Sequence, residues 1–351
     1  MRYLVYADVQ ATEGHERCFT NPSIPLQRKR VSDFFRTVAE IVKEERLDGV
    51  LDLGDTTDDR SSIPVPTLDS ILGLLDDLPV KGHNYKLIGN HEQFVRSTEI
   101  HAGRLFDRCF DVVPDRLARA IPASGQSKAF NLVMCSYPAD ELKLNGWLLD
   151  QERSARQTLL LGHFQVHGCA LATGTALSGI QTRALAWADL VLLGHVHKPQ
   201  SITDKIHYVG SPFQQNFGEA GEEKRVGIVD TNSMTVTWIP LEGFPEYRVL
   251  NADSFFNRDW STSEDRLKVV LRTPAETTAF YAHPLSHRYE PVYSYGAVIA
   301  ESPAAAPLVA DCDALMARYL KKRPPSACGI PLPDAELLEL GAMLATKESH
   351  A

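Results

Sequence analysis

Five short stretches hold the side chains with metal chemistry: Ala7-Asp8-Val9-Gln10, Gly54-Asp55, Gly89-Asn90-His91, Gly162-His163 and Gly194-His195-Val196-His197. Together they offer carboxylate, amide and imidazole, and no thiolate. Carboxylate with imidazole suits Mn, Fe or Zn better than Mg or Ca, and the missing thiolates argue against a structural zinc. Asp55, with two oxygens, can bridge two ions. Two divalent ions about 3.5–4 Å apart generate hydroxide at neutral pH and clamp the attacking and leaving oxygens of a phosphoryl displacement. A further histidine can protonate the leaving alkoxide. Taken singly, each stretch has a plain structural reading: an Asp after a strand is a turn or N-cap residue, Gly-Asp is a common turn, and His163 is a core histidine. Gly-His-Val-His is stronger, with two imidazoles just past an apolar run. In this order, each behind its own apolar segment, the five form one constellation.

The elements that must position them are legible as patterns. Residues 2–7 alternate as a strand, with Tyr3, Val5 and Ala7 on one face and Leu4 and Tyr6 on the other. Residues 26–47 carry a helical stripe of Val31, Phe34, Phe35, Val38, Ile41 and Val42. A short apolar strand ends in the loop at 49–55, residues 64–78 are helix-like, and 85–89 are strand again. Apolar runs at 130–135, 158–162 and 190–194 follow, then sheet at 206–209, 226–229 and 235–239. Alternating strand and helix predicts an α/β layered fold. In such folds ligands bind beyond the carboxyl ends of the strands, where all five stretches lie. Residues 241–246 form a boundary. Beyond it come a strong alternating strand at 266–273 and helical periodicity at 304–320 and 334–344, a smaller α+β module. There is no internal repeat.

Composition narrows the class further. The 351 residues, 44% apolar and 23% charged, suit a globular protein of two domains. A net charge of −9 makes no general polyanion binder, although a local basic groove or bound cations can supply what the count omits. The six cysteines show no C-x-x-C pairing and read as reduced. No basic start leads into an apolar segment, and no run approaches the ~18–20 apolar residues of a membrane helix. The expectation is a protein of the cytoplasm, or of the equivalent compartment in a host cell, with no membrane partner.

The ordered set Asp8-x-Gln10, Gly54-Asp55, Gly89-Asn90-His91-Glu92, His163 and Gly194-His-Val-His197 resembles the calcineurin-like metallophosphoesterase superfamily, over residues 3–240. Downstream, Tyr208-Val-Gly-Ser-Pro212 and Phe217-Gly-Glu219 resemble the SbcD-type repair nucleases of bacteria and large phages. The resemblance implies a four-layer sandwich, two mixed β-sheets flanked by helices, over 1–246. A capping and partner-binding domain over 247–351 completes it. It further implies two divalent ions, Mn2+ foremost. Asp8, Asp55 and His197 would hold metal one, with Gln10 where the family has histidine. Asp55, Asn90, His163 and His195 would hold metal two. His91 would bind the scissile phosphate or protonate the leaving oxygen, and Gly210 and Ser211 would shape the phosphate-side loop.

The function so implied is a Mn-dependent DNA exonuclease, with some endonuclease activity. It would work as a homodimer beside an SbcC-like SMC-type ATPase, with the 333–344 segment docking on that partner or folding back on its own domain. Two rivals stand beside it: a small-molecule phosphodiesterase or phosphatase of the same superfamily, and a metal-poor scaffold. Gln10 is the departure, because a neutral amide oxygen is a poorer Mn or Zn ligand than imidazole. Metal one is therefore expected to bind more weakly than metal two. His15, Glu13 and His167 are competing ligand candidates. The basic triplet Arg28-Lys29-Arg30, Lys198, Lys205 and the face of Arg266, Lys268 and Arg272 are candidate DNA contacts. Their plainer reading is solvated surface.

Overall fold

The structure, a computed structural model, describes residues 1–14, 18, 25–75, 78, 83–96, 99–171 and 173–294. The periodic segments at 304–320 and 334–344 lie outside the described residues. The first sheet grows from β1 (Arg2–Tyr6), α1 (Leu26–Glu44), β2 (Gly49–Asp52), α2 (Val65–Leu75), β3 (Tyr85–Leu87) and β4 (Asp111–Val113). The second uses β5 (Arg116–Ile121), β6 (Phe130–Cys135), α3 (Glu141–Leu149), β7 (Thr158–His163), β8 (Leu190–Gly194), β9 (Gln200–Ser201) and β10 (Ile206–Tyr208). Then β11 (Arg225–Asp230) and β12 (Thr235–Pro240) return to the first sheet. Its order is β12-β11-β1-β2-β3-β4, and the second is β5-β6-β7-β8-β10-β9. In both, the central strands are parallel and the chain adds antiparallel strands at the margins.

The alternation in β1 decides the layering. Tyr3, Val5 and Ala7 turn inward, where they meet Leu132, Met134, Leu159, Leu161 and Leu192 of the other sheet. Leu4 and Tyr6 turn outward onto α1, against Val31, Phe34, Phe35 and Val38. On the far side, Leu160, Val191 and Leu193 pack on Leu144 and Leu148 of α3. The result is helix, sheet, sheet, helix: a mixed α/β sandwich. Each fully buried Phe or Leu of these layers contributes about 1.5–3 kcal/mol.

A third sheet begins at β13 (Tyr247–Asn251) and continues through α4 (Ala252–Phe256), β14 (Arg266–Leu271), α5 (Pro274–Ala282) and β15 (Glu290–Tyr293). Its three strands are parallel, with the helices as crossovers. Leu267, Val269 and Leu271 face its own core around Phe255, Trp260 and Phe280. Among the described residues no helix is long and apolar enough to cross a membrane.

The basic triplet behaves unevenly. Arg28 pairs with Glu13 and Lys29 with Asp33, as a wet helix start should. Arg30 departs from that reading: it is 2% exposed, donates from Nη2 to Pro245 O at 3.0 Å, and lies 5.1 Å from the Tyr247 ring centroid. The reason is spacing. Leu26, Arg30 and Phe34 recur at four and share the buried stripe of α1.

Candidate metal centre

Four turns, each just past a parallel strand, bring the predicted ligands together. Asp8 follows β1, Asp55 follows β2, Asn90 and His91 follow β3, and His195 follows β8, while His163 ends β7. Asp8 (φ 55°), Gln10 (φ 48°), Asp55 (φ 55°) and His195 (φ 84°) are left-handed, four of the seven such non-glycine residues among those described. Each such backbone costs of the order of 1–3 kcal/mol and persists only where surroundings fix it. Here Asp8 N donates to Gly54 O at 3.0 Å, Gln10 N to Asp55 O at 2.8 Å, and His195 N to both Asp8 carboxylate oxygens at 3.0 Å. Glycine is required beside them. A Cβ at Gly89 would lie 2.0 Å from Asp55 Oδ1, and one at Gly54 2.8 Å from His163 Nδ1.

The donor set of metal two converges. One ligand atom each from Asp55, His163 and His195 lies within 4.8 Å of the others, close to the span of one ion's ligands at about 2.0–2.2 Å. His163 Nδ1–H donates to Leu53 O at 2.7 Å, which leaves Nε2 as the ligand atom. Nε2 lies 3.2 Å from Asp55 Oδ2 and 3.3 Å from Asn90 Oδ1. Asn90 Oδ1 is also 2.7 Å from His195 Nδ1. A carboxylate, an amide oxygen and two imidazoles thus meet at one place, a donor set that fits a divalent cation. Without an ion, His163 Nε2 holds a proton toward Asp55, and a cation there would take that proton's place. Burial would lower the His163 pKa, yet Asp55 and Asp8 lift it to about 9. Burial likewise opposes ionisation of Asp55, but His163 and then His91 hold it down at about 2. His195, buried beside His163, is pushed down to about 3 and stays a neutral imidazole, the form that ligates.

The metal-one side is built differently. Asp8 is wholly buried, and burial raises its pKa. His197 Nδ1–H donates to Glu219 Oε1 at 3.1 Å, which leaves Nε2 free to ligate. Gln10 Nε2 donates to that atom at 3.1 Å. The glutamine thus caps the lone pair that an ion would use. His167 is exposed and stands apart, Glu13 is held by Arg28, and His15 lies outside the described residues.

Several residues that build the site carry no sequence signal for a role. Glu92 accepts from the main-chain N–H of Asp55 (3.2 Å), Thr56 (3.1 Å) and Gly89 (3.0 Å), tying the two ligand loops together. Glu219, known only as part of Phe-Gly-Glu, is held by His197 and Lys224. Burial opposes its ionisation and these two overcome it, lowering its pKa to about 2. Ser211 is buried, accepting from Lys224 and donating to Phe213 O, so it braces the His197 loop from behind. Gly210 (φ 83°) abuts Pro199 and the same loop. Gln165 Nε2 donates to His195 Nε2 at 3.3 Å. His91 N donates to Asp55 Oδ1 at 2.7 Å, and its Nδ1 lies 2.8 Å from Asp58 O and 3.1 Å from the Asp58 carboxylate.

No family model matches the chain. It is 23% identical over 207 residues to "Putative phosphoesterase 078R" of Invertebrate iridescent virus 3, covering 58% of each protein. It is 30% identical over 106 residues to the SbcD subunit of the nuclease SbcCD from Staphylococcus epidermidis, covering 27% of this chain and 28% of that protein. The chain therefore spans about three fifths of the first relative's length and under a third of the second's. Among solved structures, a dimetal phosphatase from Danio rerio is 15% identical, covering 69% of this chain and 99% of that one with a TM-score of 0.39. Yfce, a phosphoesterase from E. coli, is 12% identical over 69% of this chain and all of its own, with a TM-score of 0.28. At these scores both likenesses are loose.

Proposed function

We propose that the chain is a metal-dependent phosphodiesterase that cuts DNA, the nuclease component of an SbcCD-like complex. The observation that carries the hydrolase reading is the convergence of Asp55, Asn90, His163 and His195 on one point. Divalent ions bound there, Mn2+ foremost, supply an activated water and charge for a phosphoryl transition state. The protein's own groups do the rest. Asp55 stays ionised, Glu92 fixes the loops, and Glu219 orients His197. His91, lifted to about 9 by Asp58, carries a proton at neutral pH and delivers it to the leaving oxygen. The DNA reading is supported by the similarity to an SbcD protein. The same likeness supports a homodimer beside an SMC-type ATPase, in the cytoplasm.

A smaller phosphoester is the second reading, favoured by the longer match to the viral phosphoesterase. End-labelled linear DNA incubated with the purified chain in Mn2+, with and without an SbcC-like ATPase, separates the two. Shortening that EDTA abolishes is the expected result. Intact DNA in every arm, with p-nitrophenyl phosphoesters hydrolysed, would assign the smaller substrate.

A further inference from the structure

Arg30 is charged, buried and under-partnered. Its hydrogen bond is from Nη2 to Pro245 O; Nε has no acceptor, and no carboxylate among the described residues pairs with the guanidinium. A strut between α1 and the start of the third sheet does not need a charge, because a neutral side chain could reach Pro245. A guanidinium held out of water with an aromatic ring beside it and no counter-ion is costly, and Arg is the side chain best shaped to take a phosphate. Arg30 lines a cavity of about 340 Å³ that is also bounded by Gln10 and His197 of the metal site and by Gln27, Asn216 and Tyr247. That is the size range of small-ligand sites.

The helix end points the same way. The 19-residue α1 begins after Pro25, which gives no side-chain cap, and its first turn holds no acidic residue. The amino end of a helix presents main-chain N–H groups and partial positive charge, which favour an anion. Gln27 from that turn lines the same cavity. The acidic group on the wall, Asp58, is turned to His91 at 3.1 Å.

We propose that Arg30 and the amino end of α1 form an anion subsite beside the metal centre, which holds a second phosphate of the substrate next to the one being cut. This rests on the phosphodiesterase reading and narrows it to chains with neighbouring phosphates, oligonucleotides rather than isolated diesters. Arg suits this place because its planar fork meets phosphate through two hydrogen bonds.

The test uses the full chain in EDTA, titrated calorimetrically with inorganic phosphate and with the 5′-phosphorylated thymidine dinucleotide. The wild type should bind both, the dinucleotide more tightly. Arg30→Gln should weaken both by roughly tenfold or more, as expected for loss of a charge-assisted contact. Arg30→Lys keeps the charge and should fall between, which preserves the comparison if the glutamine variant does not fold. Arg153→Gln, at an exposed pair with Asp189, should change nothing. Binding to neither probe, or equal binding by wild type and both Arg30 variants, overturns the subsite. In Mn2+, Arg30→Gln should raise KM for the dinucleotide by a larger factor than it changes KM for bis(p-nitrophenyl) phosphate. If the wild type hydrolyses neither, the phosphodiesterase reading fails, while the EDTA titration still decides the subsite.

Discussion

Changing His91 to alanine is expected to slow phosphodiester hydrolysis by about 10²–10⁴-fold, the usual contribution of a positioned general acid, with little change in bound metal. The main chain is why metal should survive. His91 N, not the imidazole, donates to Asp55 Oδ1 at 2.7 Å, and alanine keeps that N–H. The imidazole instead faces Asp58, whose side-chain hydrogen bond, followed by the Asp55 charge, outweighs partial burial and raises its pKa to about 9. A proton held in this way is present at pH 7 and lost as pH passes 9, so the rate should fall on that limb. The same linkage has a sign in stability. The folded pKa lies above the unfolded value of 6.5, so the His91–Asp58 contact stabilises fully below pH 6.5 and fades as pH rises through about 9. Asp58→Asn should move the alkaline limb of the rate profile toward lower pH. Rates for His91→Ala within twofold of wild type, at equal metal content, would remove His91 from the chemistry.

Lys86→Met is expected to lower stability by about 3–5 kcal/mol, the cost of stripping one partner from a buried ionic group. Its ammonium is wholly buried, 2.8 Å from Asp52, 2.8 Å from Glu92 and 2.7 Å from Thr56 Oγ1, and 4.5 Å from the Phe106 ring centroid. Without it two carboxylates stand buried and uncompensated. The damage should reach function, because Glu92 is the clamp between the Asp55 and Gly89 loops. Denaturant melts should show the loss, and Mn2+ affinity should fall with it. Lys86→Met combined with Glu92→Gln should cost less than the sum of the two changes, since the pair shares one interaction. An unchanged midpoint for Lys86→Met would mean that the network is not structural.

Much of this architecture was legible in the chain because burial writes itself as period. The two faces of β1 and the stripe on α1 fall where alternation and three-four spacing put them. The Gly-Asp, Gly-Asn-His and Gly-His-Val-His stretches mark strand ends because ligand and turn chemistry coincide there. Other features had no local signal. β5, Arg-Leu-Ala-Arg-Ala-Ile, is a largely exposed edge strand, so no apolar run announces it. α3 contains an internal glycine and is short, and its start depends on Asp140 accepting from Lys143 N. That β11 returns to pair with β1 depends on contacts more than two hundred residues apart, which no window sees. Arg30 reads as surface by charge and as core by position, and position prevailed. Glu92, Glu219 and Lys224 act through three-dimensional neighbours, so composition and spacing give them no task.

Mn2+ titration of the purified chain, followed by calorimetry and by metal analysis after desalting, tests the metal centre most directly. Wild type should retain one ion firmly and take up a second more weakly, because Gln10 caps His197 Nε2. His163→Gln should lose the firm site, and Gln10→His should tighten the weak one by roughly ten- to a hundredfold. Less than one ion per chain in excess Mn2+, or identical isotherms for wild type and His163→Gln, would contradict a metal centre built on Asp55, Asn90, His163 and His195.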